Sequence, residues 1–188
     1  MLNFAIGLRQ WVGDKLNDYA LVKQPSEFST PLDLIRSIVV ITPVGTQERQ
    51  DAIQAFKDEM KGLCPAAKIQ WICLLPKRGG QDSFISNNGL EFVSEDDFSF
   101  WFKIVNGGLK SLLSNDYEMS IVLTEPGDVL ADYLTRYVKA SLRVGSDNVE
   151  ERVGEYLNFQ IAMPKGATLT DFAHALPKNL KMMFSRQR

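Results

Sequence analysis

The chain has 188 residues, which suits one domain with a buried core. Hydrophobic residues make up 45% of it and charged residues 23%, the composition of a globular protein. The formal net charge of −2 argues against a nucleic-acid-binding protein, which normally carries a basic stripe. No run is apolar enough to span a bilayer, and the start does not read as a secretory signal. We therefore expect a cytoplasmic protein.

The first segment predicts an amphipathic helix over about residues 2–19. Its apolar residues recur at helical spacing: Phe4, Leu8, Trp11, Leu16 and Tyr19. Its polar face carries charges of both signs, whereas a membrane-surface helix is rich in Lys and Arg. We expect it to pack on the protein or on a partner. An irregular linker follows, so residues 1–30 form the N-terminal helix and linker, and residues 31–188 form a single α/β domain.

The stretch 36–46 contains the longest β-branched apolar run of the chain. Ser37–Ile41 is apolar on both faces, as expected for a central parallel strand that is covered on both sides. The turn Pro43-Val-Gly-Thr46 ends this strand, and Thr46 is a natural N-cap for the helix behind it. This unit predicts the first strand, turn and helix of an α/β domain.

Strands and helices alternate through the rest of the chain. Apolar runs predict further strands at 68–75, 90–93, 120–124, 141–144 and 159–163. The alternation implies parallel strands joined by right-handed crossovers, and hence a three-layer, doubly wound, Rossmann-like sheet. Phe98–Phe102 fits either a short strand or a loop that lays aromatic side chains on the sheet. Pro177 should kink or divide the last helix.

In such a sheet, ligands bind beyond the carboxyl ends of the strands. The candidate ligand-binding residues at that edge are Thr42, Gly45, Thr46, Lys77, Arg78, Thr124 and Glu125. Asp128, Gly145, Asp147 and Lys165 are also expected there. The turn after the first strand matches neither GxGxxG nor GxxxxGK[ST], and Thr46 as a plain N-cap explains it equally well. The basic loop at 77–80 fits a phosphate site or simple solvation.

Residue types that usually carry catalysis are scarce. His174 is the single histidine and is predicted to be solvent-exposed, which argues against most histidine-based triads and metal sites. Cys64 reads as a loop thiol and Cys73 as a buried strand thiol, and neither has a second Cys or His at ligand spacing. The carboxylates at 95–97 follow Ser94 at capping-box spacing. We therefore expect no catalytic residues, no cofactor and no metal.

Three landmarks occur in order: Ile38–Ile41, Ala140–Gly145 and Tyr156–Met163, the last leading into a terminal helix rich in Phe and Leu. Together they resemble a family of short uncharacterised proteins from Bacteroidota, known only as a domain of unknown function. That resemblance covers most of the chain and implies no activity.

The layout also resembles the N-terminal half of two-domain GT-B glycosyltransferases, the heptosyltransferases in particular. In that family a strand and a Gly-Asp turn open the domain, and an Arg-x-Gly element follows a helix. Arg143-Val-Gly145 matches the second feature, whereas Gly45 is followed by Thr46 where the family places its catalytic Asp. The half that binds the nucleotide sugar has no counterpart before Arg188. The resemblance therefore implies a structural rather than a catalytic relationship.

Two functions stay open. The first is a non-catalytic interaction or regulatory module that contacts a protein partner or a second copy through the N-terminal helix and Phe98–Phe102. The alternative is a protein that binds a small molecule, nucleotide or sugar phosphate, including a glycosyltransferase-related enzyme. Its ligand would lie at the strand carboxyl ends, beside the Thr42–Thr46 turn and Lys77, Arg78 and Thr124.

Overall fold

The computed structural model describes residues 30–44, 47–75, 89–124, 128–149 and 154–185. The predicted N-terminal helix and the basic loop at 77–80 lie outside the described residues. Within those ranges the chain forms six strands, four α-helices and two short 3₁₀ turns. The elements are β1 Ser37–Pro43, α1 Gln47–Leu63, β2 Lys68–Leu74, β3 Leu90–Val93, α2 Gly107–Leu113, β4 Asp116–Val122, α3 Val129–Tyr137, β5 Lys139–Ser146, β6 Phe159–Ile161 and α4 Leu169–Ser185.

The strands form one parallel sheet in the order β3-β2-β1-β4-β5-β6, which confirms the predicted doubly wound fold. The chain builds outward from β1 through β2 to β3 and then returns to the other side of β1 with β4. The strand order therefore reverses between β1 and β4, the position at which such folds usually bind ligands.

The helices cover the sheet from both sides. α1 and α4 pack against Ile38 and Val40 of β1 on what we call the α1–α4 face. α2 and α3 pack against Val39 and Ile41 on the α2–α3 face. These four residues are fully buried because successive side chains of a strand point to opposite faces and both faces are covered.

Side chains cap the helix starts where the sequence offers them. The carboxylate of Asp128 accepts hydrogen bonds from the backbone N–H groups of Leu130 and Ala131, each at 3.1 Å. The predicted capping box at Ser94 and Asp97 is confirmed, with the Ser94 backbone N–H donating to Asp97 Oδ2 at 2.8 Å. α4 runs through Pro177 without being divided. Buried side chains on both sides of the proline hold the helix on the sheet.

Residues 98–104, which we call the aromatic loop, are not part of the sheet. Phe98 and Ile104 form an isolated antiparallel bridge. Phe102 has φ +57°, and its ring stacks on Tyr133 with 4.2 Å between the ring centres. Phe98 and Phe102 are buried, whereas Phe100 is 65% and Trp101 39% exposed. The loop therefore directs two of its aromatic side chains into the core and two toward solvent.

We predict that Asp132→Ala destabilises the protein strongly. Asp132 and Arg136 lie one turn apart on α3, both are 4% exposed, and Arg136 Nε donates to Asp132 Oδ1 at 2.8 Å. When the Asp132 carboxylate is removed, the guanidinium of Arg136 stays buried but loses this opposite charge. The free energy of unfolding should therefore fall by about 3 kcal/mol. Urea unfolding measures the change. The double variant Asp132→Leu/Arg136→Met should recover most of it, and a double variant as unstable as the single one would contradict the account.

Candidate functional site

A cleft of about 600 Å³ opens on the α1–α4 face. α1 forms one wall of it, and the side chains of β2 and β3 form its floor. Ile69, Cys73, Leu90 and Phe92 of this floor are only half-buried. An interior parallel strand normally has helices on both faces. In the described part of the chain, this strip of the sheet is therefore covered less completely on the α1–α4 face than β1 is.

The strand register fixes the shape of the floor. Thr42 of β1, Cys73 of β2 and Phe92 of β3 lie side by side at the carboxyl end. Two residues back along the strands, Trp71 lies beside Leu90. Because side chains alternate between faces, these residues all point toward α1. The described floor is apolar apart from Thr42 and the thiol of Cys73.

Of the predicted site residues that the structure describes, Thr42 lines this cleft. It is 1% exposed, and its hydroxyl has no hydrogen-bond partner among the described residues. A buried hydroxyl without a partner costs about 1–3 kcal/mol relative to a satisfied one. Its position is also beside the start of α1, where the first backbone N–H groups of a helix have no intrahelical acceptor. Thr42 therefore marks the carboxyl-terminal end of the cleft floor with a side chain that is itself buried.

Two lysines of α1 line the opposite part of the wall. Lys57 is half-buried, and its Nζ lies 6.0 Å from the centre of the Trp71 ring, within reach of a cation–π contact. Lys61 is exposed one turn further on. Among the described residues no carboxylate pairs with either ammonium group, and no acidic residue lines the cleft. The wall is therefore positively charged. Sequence reasoning missed both lysines, although their spacing of four residues beside the apolar stripe of α1 was an available signal.

The thiols argue against nucleophilic chemistry in the cleft. Burial raises the pKa of Cys73 to about 11, although nearby Lys57 lowers it in part. Burial, with a smaller contribution from Asp33, also raises the pKa of Cys64 to about 11. The thiolate form is therefore scarce at neutral pH. Cys64 lies in the connection after α1 and Cys73 lies on β2, as predicted, but Cys64 is the buried thiol and Cys73 is half-buried on the cleft floor.

The other predicted site residues are dispersed. Thr124 lines a separate cavity of about 20 Å³ between the ends of β4 and β5 and the start of α4. Thr42 and Thr124 thus end neighbouring strands but line different cavities. The backbone N–H of Met163 donates to Asp147 Oδ1 at 2.9 Å, and Asp128 caps α3, so both carboxylates have structural partners. Lys165 is exposed on the turn that follows β6. Five further candidates lie outside the described residues: Gly45, Thr46, Lys77, Arg78 and Glu125.

The Arg-x-Gly element lies on the other face of the sheet. Leu142 and Val144 point to the α1–α4 face, so Arg143 points to the α2–α3 face. Arg143 is 3% exposed, its Nη1 has no hydrogen-bond partner in the part of the chain that the structure describes, and burial lowers the pKa of its guanidinium. Gly145 lies within β5, where a Cβ atom would come 2.4 Å from Leu157 Cδ1. Packing therefore explains this glycine without a ligand.

We expect Gly145→Ala to lower the free energy of unfolding by about 1 kcal/mol, because the added methyl group overlaps the Leu157 side chain. Thermal or urea unfolding measures the loss. In a Leu157→Ala background the same substitution should have little further effect, since the two side chains no longer compete for the space. An equal loss in both backgrounds would show that the destabilisation does not come from contact with the Leu157 side chain.

Groups for metal or histidine chemistry do not converge in the described ranges. There, no three side chains among His, Cys, Asp and Glu lie close enough together to hold a metal ion. His174 is exposed on α4, as predicted. The described helices also include none with the length and apolar character needed to cross a membrane.

Comparison with known proteins settles the family. The sequence matches the model of a family of unknown function, DUF6913, over residues 9–183. The chain belongs to DUF6913. The match includes part of the segment before β1 as well as the whole sheet. No curated protein matches the sequence.

Among solved structures, this DUF6913 protein is similar to heptosyltransferases and related enzymes. The E. coli heptosyltransferase WaaC with ADP-2-deoxy-2-fluoro heptose aligns with a TM-score of 0.51 and 15% identity, over 76% of this chain and 47% of that one. WaaC with ADP aligns at a TM-score of 0.52 and 14% identity over the same shares. The glycosyl transferase family 9 structure from Veillonella parvula aligns at a TM-score of 0.51 and 13% identity, over 84% and 43%.

These alignments establish a shared fold. The DUF6913 chain spans less than half the length of the glycosyltransferases that it matches. At 13–15% identity the likeness carries no residue roles, and fold alone does not determine function. The predicted resemblance to one half of a GT-B enzyme is confirmed at the level of architecture.

Proposed function

We propose that this protein is a non-catalytic domain that binds a small molecule in the cleft beside α1. The observation that carries the proposal is the pairing of an apolar floor with Lys57 and Lys61, which face it without a carboxylate among the described residues. The volume of about 600 Å³ falls within the range of small-molecule sites, roughly 300–1,000 Å³. The matching ligand has an acidic group and an apolar body.

The position of the cleft supports the same proposal. Its Thr42 end lies at the carboxyl end of β1, the edge at which doubly wound sheets bind ligands. The absence of a catalytic arrangement within the described ranges favours binding over turnover. The glycosyltransferase likeness supplies the scaffold and no activity.

Thermal unfolding of the full chain with a ligand panel tests the proposal. Nucleotides, sugar phosphates, and aliphatic and aromatic carboxylates are added at millimolar concentration. We expect at least one acidic compound to raise Tm, because binding to the native state stabilises it. Lys57→Ala/Lys61→Ala should abolish that rise by removing the positive wall.

The matched control is Lys178→Ala/Lys181→Ala, which removes the same charge from exposed positions on α4. This control should keep the full ligand-induced rise in Tm. If no compound raises Tm, or if both double variants lose the rise equally, the cleft is not the binding site and the proposal fails.

A second candidate, an interaction module, is favoured by the aromatic loop. Phe100 and Trp101 are exposed and contact each other edge to face, with 4.8 Å between ring centres. Phe102 anchors the loop against Tyr133 in a left-handed backbone conformation that is strained for a non-glycine residue. Exposed aromatic residues on a held loop are the residue types that dominate binding energy at interfaces.

For this candidate we expect concentration-dependent dimer formation in sedimentation velocity. Phe100→Ser/Trp101→Ser should weaken the self-association at least tenfold, because the aromatic contact area is lost. Met182→Ser is the control, since Met182 is 55% exposed on α4, away from the loop. A strict monomer at every concentration, or an equal loss in the Met182 variant, would remove self-association through this loop as a function.

A further inference from the structure

We infer that the ligand of the cleft is an extended amphiphile, an acid with a hydrocarbon chain, whose acidic head contacts Lys57 and Lys61 and whose chain lies on the β2–β3 floor. The inference rests on the proposed function and narrows it to one ligand class. It also fixes an orientation, with the distal end of the chain toward Thr42.

The head position follows from the helix. Lys57 and Lys61 are four residues apart, so their side chains lie on the same side of α1, with Cβ atoms about 5–6 Å apart. One carboxylate has two oxygens and can accept hydrogen bonds from both ammonium groups. Both lysines lie in the second half of α1, which runs antiparallel to the strands, so the head lies toward the amino ends of the strands. This is the edge opposite to the usual phosphate position.

The character of the chain follows from the floor. Ile69, Trp71, Leu90 and Phe92 offer no hydrogen-bonding side-chain atom except the Trp71 indole N–H. A nucleobase or sugar placed here leaves the polar groups that face the floor without partners, because the amides of Gln50 and Gln54 lie on the wall instead. A hydrocarbon chain instead removes apolar floor and apolar ligand surface from water together. The location at the strand ends by itself would allow nucleotides and sugar phosphates. The apolar floor favours a hydrocarbon chain over these ligands.

The length of the cleft matches an extended molecule. The floor from Ile69 to Cys73 spans four steps of a strand, about 13 Å. The wall from Gln50 to Lys61 spans eleven residues of helix, about 16 Å. A compact ligand would leave most of this floor exposed, whereas a chain of roughly that length covers it. The far end of the chain then lies toward Thr42, whose side chain is buried and offers it no accessible polar atom.

Calorimetric titration of the full chain with decanoate, decanol and ω-hydroxydecanoate, below their micellar concentrations, tests the inference. We expect decanoate to bind at least tenfold more tightly than decanol, because the alcohol lacks the charge. Lys57→Ala/Lys61→Ala should abolish this preference, and Lys178→Ala/Lys181→Ala should keep it. Shortening the acid should weaken binding by about three- to fourfold per methylene group.

The distal end has its own matched ligand. ω-Hydroxydecanoate should bind several-fold more weakly than decanoate, because its terminal hydroxyl replaces apolar contact with the floor beside Cys73 and Phe92. Binding of the two acids with equal affinity to the parent chain would overturn the assigned orientation. Stabilisation by a nucleotide or sugar phosphate without binding of decanoate would overturn the ligand class and leave the proposed function intact. Absence of binding by every compound would overturn both.

Discussion

A parallel sheet must be covered on both faces, and this requirement organises the molecule. β1 meets it fully: Ile38, Val39, Val40 and Ile41 are all inaccessible to solvent. α1 and α4 supply one cover and α2 and α3 the other. Away from β1 the cover from the described elements becomes incomplete on the α1–α4 face. The cleft lies beside α1, and its floor extends from β2 to β3.

The fold could be predicted from sequence to a large extent because its signals are local. The β-branched run of β1 and the alternation of strands and helices gave the correct class. Ser94 and Asp97 announced their capping box by spacing alone. Boundaries were less predictable: β5 extends to Ser146, beyond the predicted end at Val144, because β4 and β6 both pair with it. The division of α4 at Pro177 did not occur, since tertiary packing outweighs the local cost of the proline.

The candidate site was predictable only in part. Thr42 followed from the general rule for strand ends, and the structure places it in the cleft. Lys57 and Lys61 did not follow, because a lysine on a helix reads as solvated until the position of that helix over the sheet is known. The aromatic loop was ambiguous for a related reason. The positive φ of Phe102 is held by its stack on Tyr133, which is 31 positions later in the sequence and invisible to local patterns.

The cleft lies at a different part of the sheet from the sequence features that resemble heptosyltransferases. Arg143, which belongs to the Arg-x-Gly element of the predicted resemblance, lies on the face opposite to the cleft. The charged part of the cleft lies instead along the second half of α1. A binding role on this scaffold therefore relies on residues that the glycosyltransferase pattern does not mark.

The most direct test of the central claim is the reactivity of Cys73 in the native full chain. Cys73 lies on the cleft floor and Cys64 is buried outside it, while burial raises both thiol pKa values to about 11. The reaction with N-ethylmaleimide is measured by mass spectrometry, for Cys73 in the Cys64→Ser chain and for Cys64 in the Cys73→Ser chain. Because the two pKa values are similar, a difference in rate reports how accessible each thiol is rather than how far it is ionised. An open cleft predicts that Cys73 reacts much faster than Cys64. Equal, slow reaction of both thiols would show that the cleft floor is closed to solvent and would contradict the account.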